Sequence, residues 1–286
     1  MQNLGIEYKI TGQDERGQVS SYHRKPEPLF LNKTPYSVDV AGLKKVEQKA
    51  IKFDGVEYAS KFTIGFEVEK TLLHRNAVKE YELFCGFERD ASCGYEAVTH
   101  VLPLLPAGQW RTKVYDMIHK AERIIDDRYS PSDKRCGGHI TIASDGLSGE
   151  QLLSSVRCNS GIILALFRNR LQNRYCGENK RLKTDYYGSR YQVALVKGSC
   201  LEFRVPSRFE SVKQVMRRYE LFYHLVDFSV NNPAGSYESF IKRVRPVIVS
   251  MYNGDTAKAE NVLSLSKHFQ RFINTGEIHE SIREFV

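Results

Sequence analysis

Glu67 and Glu69 stand two residues apart in Phe62-Thr63-Ile64-Gly65-Phe66-Glu67-Val68-Glu69, a stretch in which apolar and polar residues alternate. Side chains of a strand point to its two faces in turn. One face therefore takes Phe62, Ile64, Phe66 and Val68, and the other takes Thr63, Gly65, Glu67 and Glu69. The carboxylates then lie roughly 6–7 Å apart along the strand, with nothing basic between them in sequence. Like charges so placed repel. A hard divalent cation relieves the repulsion, and magnesium in particular takes carboxylate oxygens and bridges to substrate phosphates.

Three further segments carry chemistry in the same way. In Gly138-His139-Ile140-Thr141-Ile142, His139 and Thr141 oppose Ile140 and Ile142. In Cys200-Leu201-Glu202-Phe203-Arg204-Val205, Glu202 and Arg204 share the face opposite Leu201, Phe203 and Val205. Residues 95–99 place Glu96 beside Val98 on faces of mixed character. Each segment alone also fits a bland role: a wet outer strand face, a structural histidine, a surface Glu-x-Arg ion pair. Their sum is less easily a coincidence. One sheet could gather these Glu, His and Arg side chains on one side, the layout of a two-metal nucleotide site.

The elements needed to position them are visible in outline. Residues 111–127 repeat at helical spacing, with Val114, Met117, Ile118, Ala121, Ile124 and Ile125 on one stripe. Ser148 with Gln151 matches a capping box and predicts a long helix reaching about residue 174. Residues 191–196 and 200–205 predict a hairpin turning at Lys197-Gly198. Ser211 with Gln214 caps a helix whose stripe is Val212, Val215, Met216, Tyr219 and Phe222, and the chain from Ser236 on is helical in composition. Strands and helices do not alternate as regular βαβ units, so the expected class is α+β with a mostly antiparallel sheet. Residues 1–60 differ: they carry Pro26, Pro28 and Pro35 and one amphipathic stretch, 38–51, that could be a helix. They read as an N-terminal extension, ahead of a domain spanning 61–286.

Composition sets the surroundings. The chain has 286 residues, 41% of them apolar, enough for a large buried core. No apolar run is long enough to cross a bilayer, and residues 1–18 are polar, unlike a signal peptide. Cys85, Cys93, Cys136, Cys158, Cys176 and Cys200 are too widely spaced for a zinc knuckle or a thioredoxin-like pair, so reduced thiols and a cytoplasmic location are expected. The net charge of +8 suits an anionic partner. Basic residues crowd between Arg157 and Arg190, as a solvated helix face and loop or as a phosphate-binding region.

Four motifs in order resemble the phage and bacterial amidoligase family, within the glutamine-synthetase-like carboxylate–amine ligase superfamily. They are Gly65-Phe66-Glu67-Val68-Glu69; Asp90-Ala91-Ser92 with Gly94-Tyr95-Glu96-Ala97-Val98-Thr99; Cys136-Gly137-Gly138-His139-Ile140; and Leu201-Glu202-Phe203-Arg204. The resemblance spans about residues 61–230. It implies a curved, mostly antiparallel sheet packed with helices, and an ATP- and Mg2+-dependent ligase joining a carboxylate substrate to an amine substrate through an acyl phosphate. It further implies Glu67, Glu69, Glu96, His139 and Glu202 as metal ligands, and His139, Arg190 and Arg204 as contacts to the nucleotide phosphates. Glu202 and Arg204 would act at the transferred phosphoryl group. The base that takes the amine proton is not identified, and Asp90 is a candidate only by its nearness to Glu96. If the gene is phage-borne, the location would be the host cytoplasm.

The sequence departs from the family pattern at Ala91, where a glycine is usual, and at Thr141, a poorer metal ligand than the polar ring or amide common there. The competing function is a phage-type structural or nucleic-acid-binding protein that keeps the sheet without turnover, and a metal-dependent hydrolase is a third. Nucleic acid is the less favoured partner, because an acidic sheet face repels a phosphate backbone. No Walker-type loop or Gly-x-Ser-x-Gly elbow is present.

Overall fold

The computed structural model describes residues 61–73, 81, 83–90 and 92–286, together with short strand pieces between Tyr8 and Tyr58. The alternating stretch forms β1 (Phe62–Lys70). It is followed by β2 (Phe84–Asp90), β3 (Gly94–Thr99) and the short β4 (Leu102–Pro103). Helices α1 (Gln109–Lys120) and α2 (Glu122–Ile125) lead to β5 (Gly138–Ser144). Then come α3 (Gly149–Arg157), α4 (Gly161–Leu166), β6 (Ala194–Lys197) and β7 (Cys200–Phe203). Three helices close the chain: α5 (Val212–Asn231), α6 (Tyr237–Met251) and α7 (Thr256–Thr275). The class is α+β, as the sequence predicts.

The strands join in the order β6-β7-β5-β1-β3-β2, every one of these pairs antiparallel, and β4 also pairs with β1. The piece Gln18–Val19 runs parallel beside β2. β1 lies centrally between β5 and β3. Apart from the half-buried Gly65 all its residues are buried, the two carboxylates included.

The apolar face rests on helices. Ile64, Phe66, Val68, Ile140, Ile142, Leu201 and Phe203 are all buried there. Phe203 meets Phe222 of α5 edge-on, ring centroids 5.1 Å apart, and Phe66 meets Phe209 at 5.7 Å. Tyr219 of α5 donates from its hydroxyl to the Pro103 carbonyl and accepts from the Leu105 amide, so one side chain ties the helix to the end of β4. The six stripe residues of 111–127 are buried although the helix breaks at Ala121. The Ser148–Gln151 capping box and the Ser211 cap both form. No helix among the described residues is long and apolar enough to cross a membrane.

Three local expectations are corrected. The helix predicted over 38–51 is not formed at Lys45–Glu47 or at Ile51–Phe53, which are strand pieces. The helix predicted from Ser148 to about residue 174 ends at Arg157 and resumes for only six residues. At the break the Ser160 hydroxyl bonds back to the Val156 carbonyl, and Gly161 lies so close to α7 that a Cβ there would sit 2.5 Å from the Ser266 carbonyl oxygen. Tertiary contact with a distant helix decides that break. Finally, the hairpin turns one residue later than expected. Lys197 pairs with Cys200 and belongs to β6, and Gly198, at φ 62°, takes the left-handed position that favours glycine.

Candidate functional site

The register places the expected residues side by side. His139 is the partner of Glu67 across β5 and β1, and Thr141 is the partner of both Gly65 and Glu202. On the other side of β1, Glu96 is the partner of Glu69. Residues directly opposite in a sheet share a face. Glu67, Glu69, Glu96, His139, Thr141 and Glu202 thus line one side of one sheet, and all are buried.

Their contacts are specific. His139 Nδ1 lies 2.7 Å from Glu67 Oε2 and 3.7 Å from Glu202 Oε1, while its Nε2 lies 3.3 Å from Glu69 Oε1. The imidazole therefore stands among three carboxylates. Glu69 Oε2 accepts from the Gly137 amide at 2.6 Å. Gly137 has a reason to be glycine: a Cβ would come within 3.1 Å of Glu69 Oε1 and 3.2 Å of both His139 Nε2 and the Arg170 guanidinium. Donor atoms of Glu67, His139 and Glu202 all lie within 4.8 Å of one another, close enough to share one metal ion. Two carboxylates and an imidazole fit magnesium or manganese, with manganese the more tolerant of nitrogen. Glu69 and Glu96 fall outside this triplet.

Glu202 is the most enclosed member, with no exposed side-chain surface. Arg204 Nη1 donates to its Oε1 at 2.5 Å, and Lys197 forms an ion pair with its Oε2. Burial alone would push the Glu202 carboxyl up. Lys197, Arg204 and His139 outweigh burial and the nearby Glu67, and hold it below the ordinary carboxylate range. Burial works against the Arg204 charge too, but Glu202, Glu67 and Glu96 raise it above its usual value. Both groups stay ionised at neutral pH.

Beside the triplet opens a cavity of about 190 Å³ whose floor includes Glu69 and His139. Its walls bring Arg135, Arg170, Arg190 and Arg204 together with Tyr175 and Tyr191. Arg135 is engaged by Asp133, and Arg204 by Glu202. Arg170 donates to the Cys136 carbonyl at 2.9 Å, and neither it nor Arg190 takes part in an ion pair among the described residues. The basic run from 157 to 190 thus divides. Arg157 and Arg181 donate to carbonyls at the end of α7, a structural task, whereas Arg170 and Arg190 reach the cavity.

Sequence reasoning found Glu69, His139, Arg190 and Arg204 of the lining, had Arg170 only as one member of the basic run, and missed Arg135, as it missed Lys197 beside Glu202. Arg135 and Arg170 lie outside regular strands, where no alternation betrays direction. Lys197 was hidden by the misplaced turn. Asp90 ends β2 as the register partner of Gly94, and its side chain lies outside those described.

Compared with known protein families and with curated proteins, the chain matches none. Among solved structures, one titled "Apo GmaS without ligand" is similar at 10% sequence identity, over 87% of this chain and 82% of that one, with a TM-score of 0.30. At that level the likeness carries no argument about chemistry.

Proposed function

We propose that this protein is an ATP- and divalent-metal-dependent ligase that joins a carboxylate to an amine. The observation that carries the reading is the adjacency of two features: the buried Glu67–His139–Glu202 triplet and the cavity walled by four arginines. A cation site beside an anion site is what phosphoryl transfer from a nucleotide requires.

A carboxylate is a poor electrophile because oxide is a poor leaving group. In the proposed reaction a carboxylate oxygen attacks the terminal phosphorus of ATP and ADP departs. The amine then attacks the acyl carbon, phosphate leaves, and the amine gives up a proton. Magnesium, when bound, would neutralise charge on the phosphate oxygens, held by Glu67, His139 and Glu202. The chain's own part is binding and orientation. Arg170 and Arg190 offer guanidinium groups to an anion in the cavity. Arg204, fixed by Glu202, also lines the cavity, and a planar fork suits a phosphoryl group better than an ammonium does. Glu69, locked by the Gly137 amide, keeps the floor in place. Residues 1–60 act in substrate access or assembly in this reading.

Thermal melting with ATP, with and without magnesium, tests the binding step, because a ligand of the native state alone raises the melting temperature. ADP release against pools of carboxylates, amino acids and amines tests turnover. The arginine wall also suits nucleic-acid phosphates. Salt-sensitive oligonucleotide binding, with neither a Mg-ATP shift nor ADP release, would favour the non-catalytic alternative instead.

A further inference from the structure

We infer that Lys197 takes the place of a second metal ion at Glu202, so that the site holds one divalent cation and not two. The inference rests on the metal-dependent reading above and concerns the number of ions in that site. Two-metal sites hold their ions about 3.5–4 Å apart, and Glu202, which offers one oxygen to the triplet, has a second oxygen that another ion could use. Its two oxygens are already divided. Oε1 faces Arg204 and His139, on the side of the metal-sized triplet. Oε2 faces Lys197, whose side chain is only 15% exposed.

The geometry behind this is built into the hairpin. Leu195 is the partner of Glu202 and Lys197 the partner of Cys200, so Lys197 stands diagonally across from Glu202 on the same face. Diagonal neighbours are within reach of a long side chain. The ammonium supplies a fixed positive charge where a second ion would otherwise bridge. Thr141, the register partner of Glu202 on the next strand, offers only a hydroxyl, so no second carboxylate or imidazole is supplied from that position. Glu67–His139–Glu202 is the metal-sized cluster among the described residues.

The test counts manganese per chain, by equilibrium dialysis and electron paramagnetic resonance, with metal alone and no nucleotide. The parent protein should bind one ion. Lys197→Met frees Oε2 and should bind two, whereas Lys197→Arg keeps the charge and should bind one. Melting curves confirm that each variant is folded; if Lys197→Met is not, Lys197→Gln takes its place. Two ions in the parent, or an unchanged count in the folded neutral variant, overturns the inference while the Mg-ATP melting shift still stands. No ion in either protein overturns the metal-dependent reading as well.

Discussion

His139 and Glu67 face each other across β5 and β1 as register partners, with Nδ1 2.7 Å from Oε2. The same ring touches Glu69 through its other nitrogen. The neighbouring strand thus sets an imidazole between the two carboxylates of β1, hydrogen-bonded to Glu67 and close to Glu69. A divalent cation entering the triplet would compete with this contact, because His139 and Glu67 are themselves among its donors.

Removing the ring should therefore destabilise the metal-free protein. His139→Ala removes the ring's hydrogen bond to the buried Glu67, at a cost of about 0.5–3 kcal/mol, while Glu69 keeps its bond from the Gly137 amide. Urea unfolding without metal measures it. Part of the loss should return on adding manganese if the carboxylates alone still hold an ion. A variant as stable as the parent would mean that the ring contributes nothing to the face.

Glu69 and Gly137 form a second separable pair. Glu69→Gln keeps an oxygen for the Gly137 amide and should cost well under what Glu69→Ala costs, about 1–3 kcal/mol for a buried donor left unsatisfied. Gly137→Ala tests the crowding from the other side. Its methyl group pushes against Glu69, His139 and Arg170, and should weaken nucleotide binding more than it weakens the fold. Comparing melting temperatures with the Mg-ATP shift separates the two effects.

Much of this face was legible in the sequence because alternation is a property of one strand at a time. Glu67, Glu69, His139 and Glu202 each betrayed their side by the apolar residues between them. What a single strand cannot encode is its register with the next. That His139 meets Glu67, and that Thr141 stands beside Glu202, depends on how β5 slides between β1 and β7. A shift of one residue in the turn after Lys197 moved that lysine from a loop to the site face. Arg170 follows a helix broken by α7, over ninety residues further along the chain, and no local signal announces such a contact.

Acid sensitivity should include contributions from His100 and Glu202, beside that of His224, whose pKa burial lowers to about 4. His100 is fully buried, and burial lowers its pKa to about 3 from 6.5. Unfolding releases it to take a proton, so stability is complete above about pH 6.5 and falls as pH drops toward 3, by up to ~1.4 kcal/mol per unit. His100→Gln should lessen that slope and leave the part due to His224. Glu202, also held below its ordinary value of 4.5, acts at lower pH. Its contribution is present above pH 4.5 and is lost as pH falls further through the folded-state pKa. Denaturant midpoints from pH 7 to 3 resolve both. A parent whose stability is flat between pH 6.5 and 4.5 would contradict the burial of a neutral His100.

Arg204 and Glu202 separate charge from shape most sharply. They flank Phe203, lie on one face and bond directly. As a mere surface ion pair they would be worth about 0–1 kcal/mol and no activity, but neither is at the surface. Arg204→Lys keeps the positive charge beside Glu202 and so should leave the fold and the metal count unchanged. It loses the planar fork. If the guanidinium matters most as charge spreads over the moving phosphoryl oxygens, turnover should fall on the order of tenfold or more, with a smaller change in the KM for ATP. Glu202→Gln keeps the shape and removes the charge, so half-maximal activity should need more magnesium. Steady-state ADP release across a magnesium series, with a substrate found by the pool assay, measures both. An Arg204→Lys enzyme with parental turnover would leave the proposed reaction without this electrophilic partner and move the balance toward a binding protein.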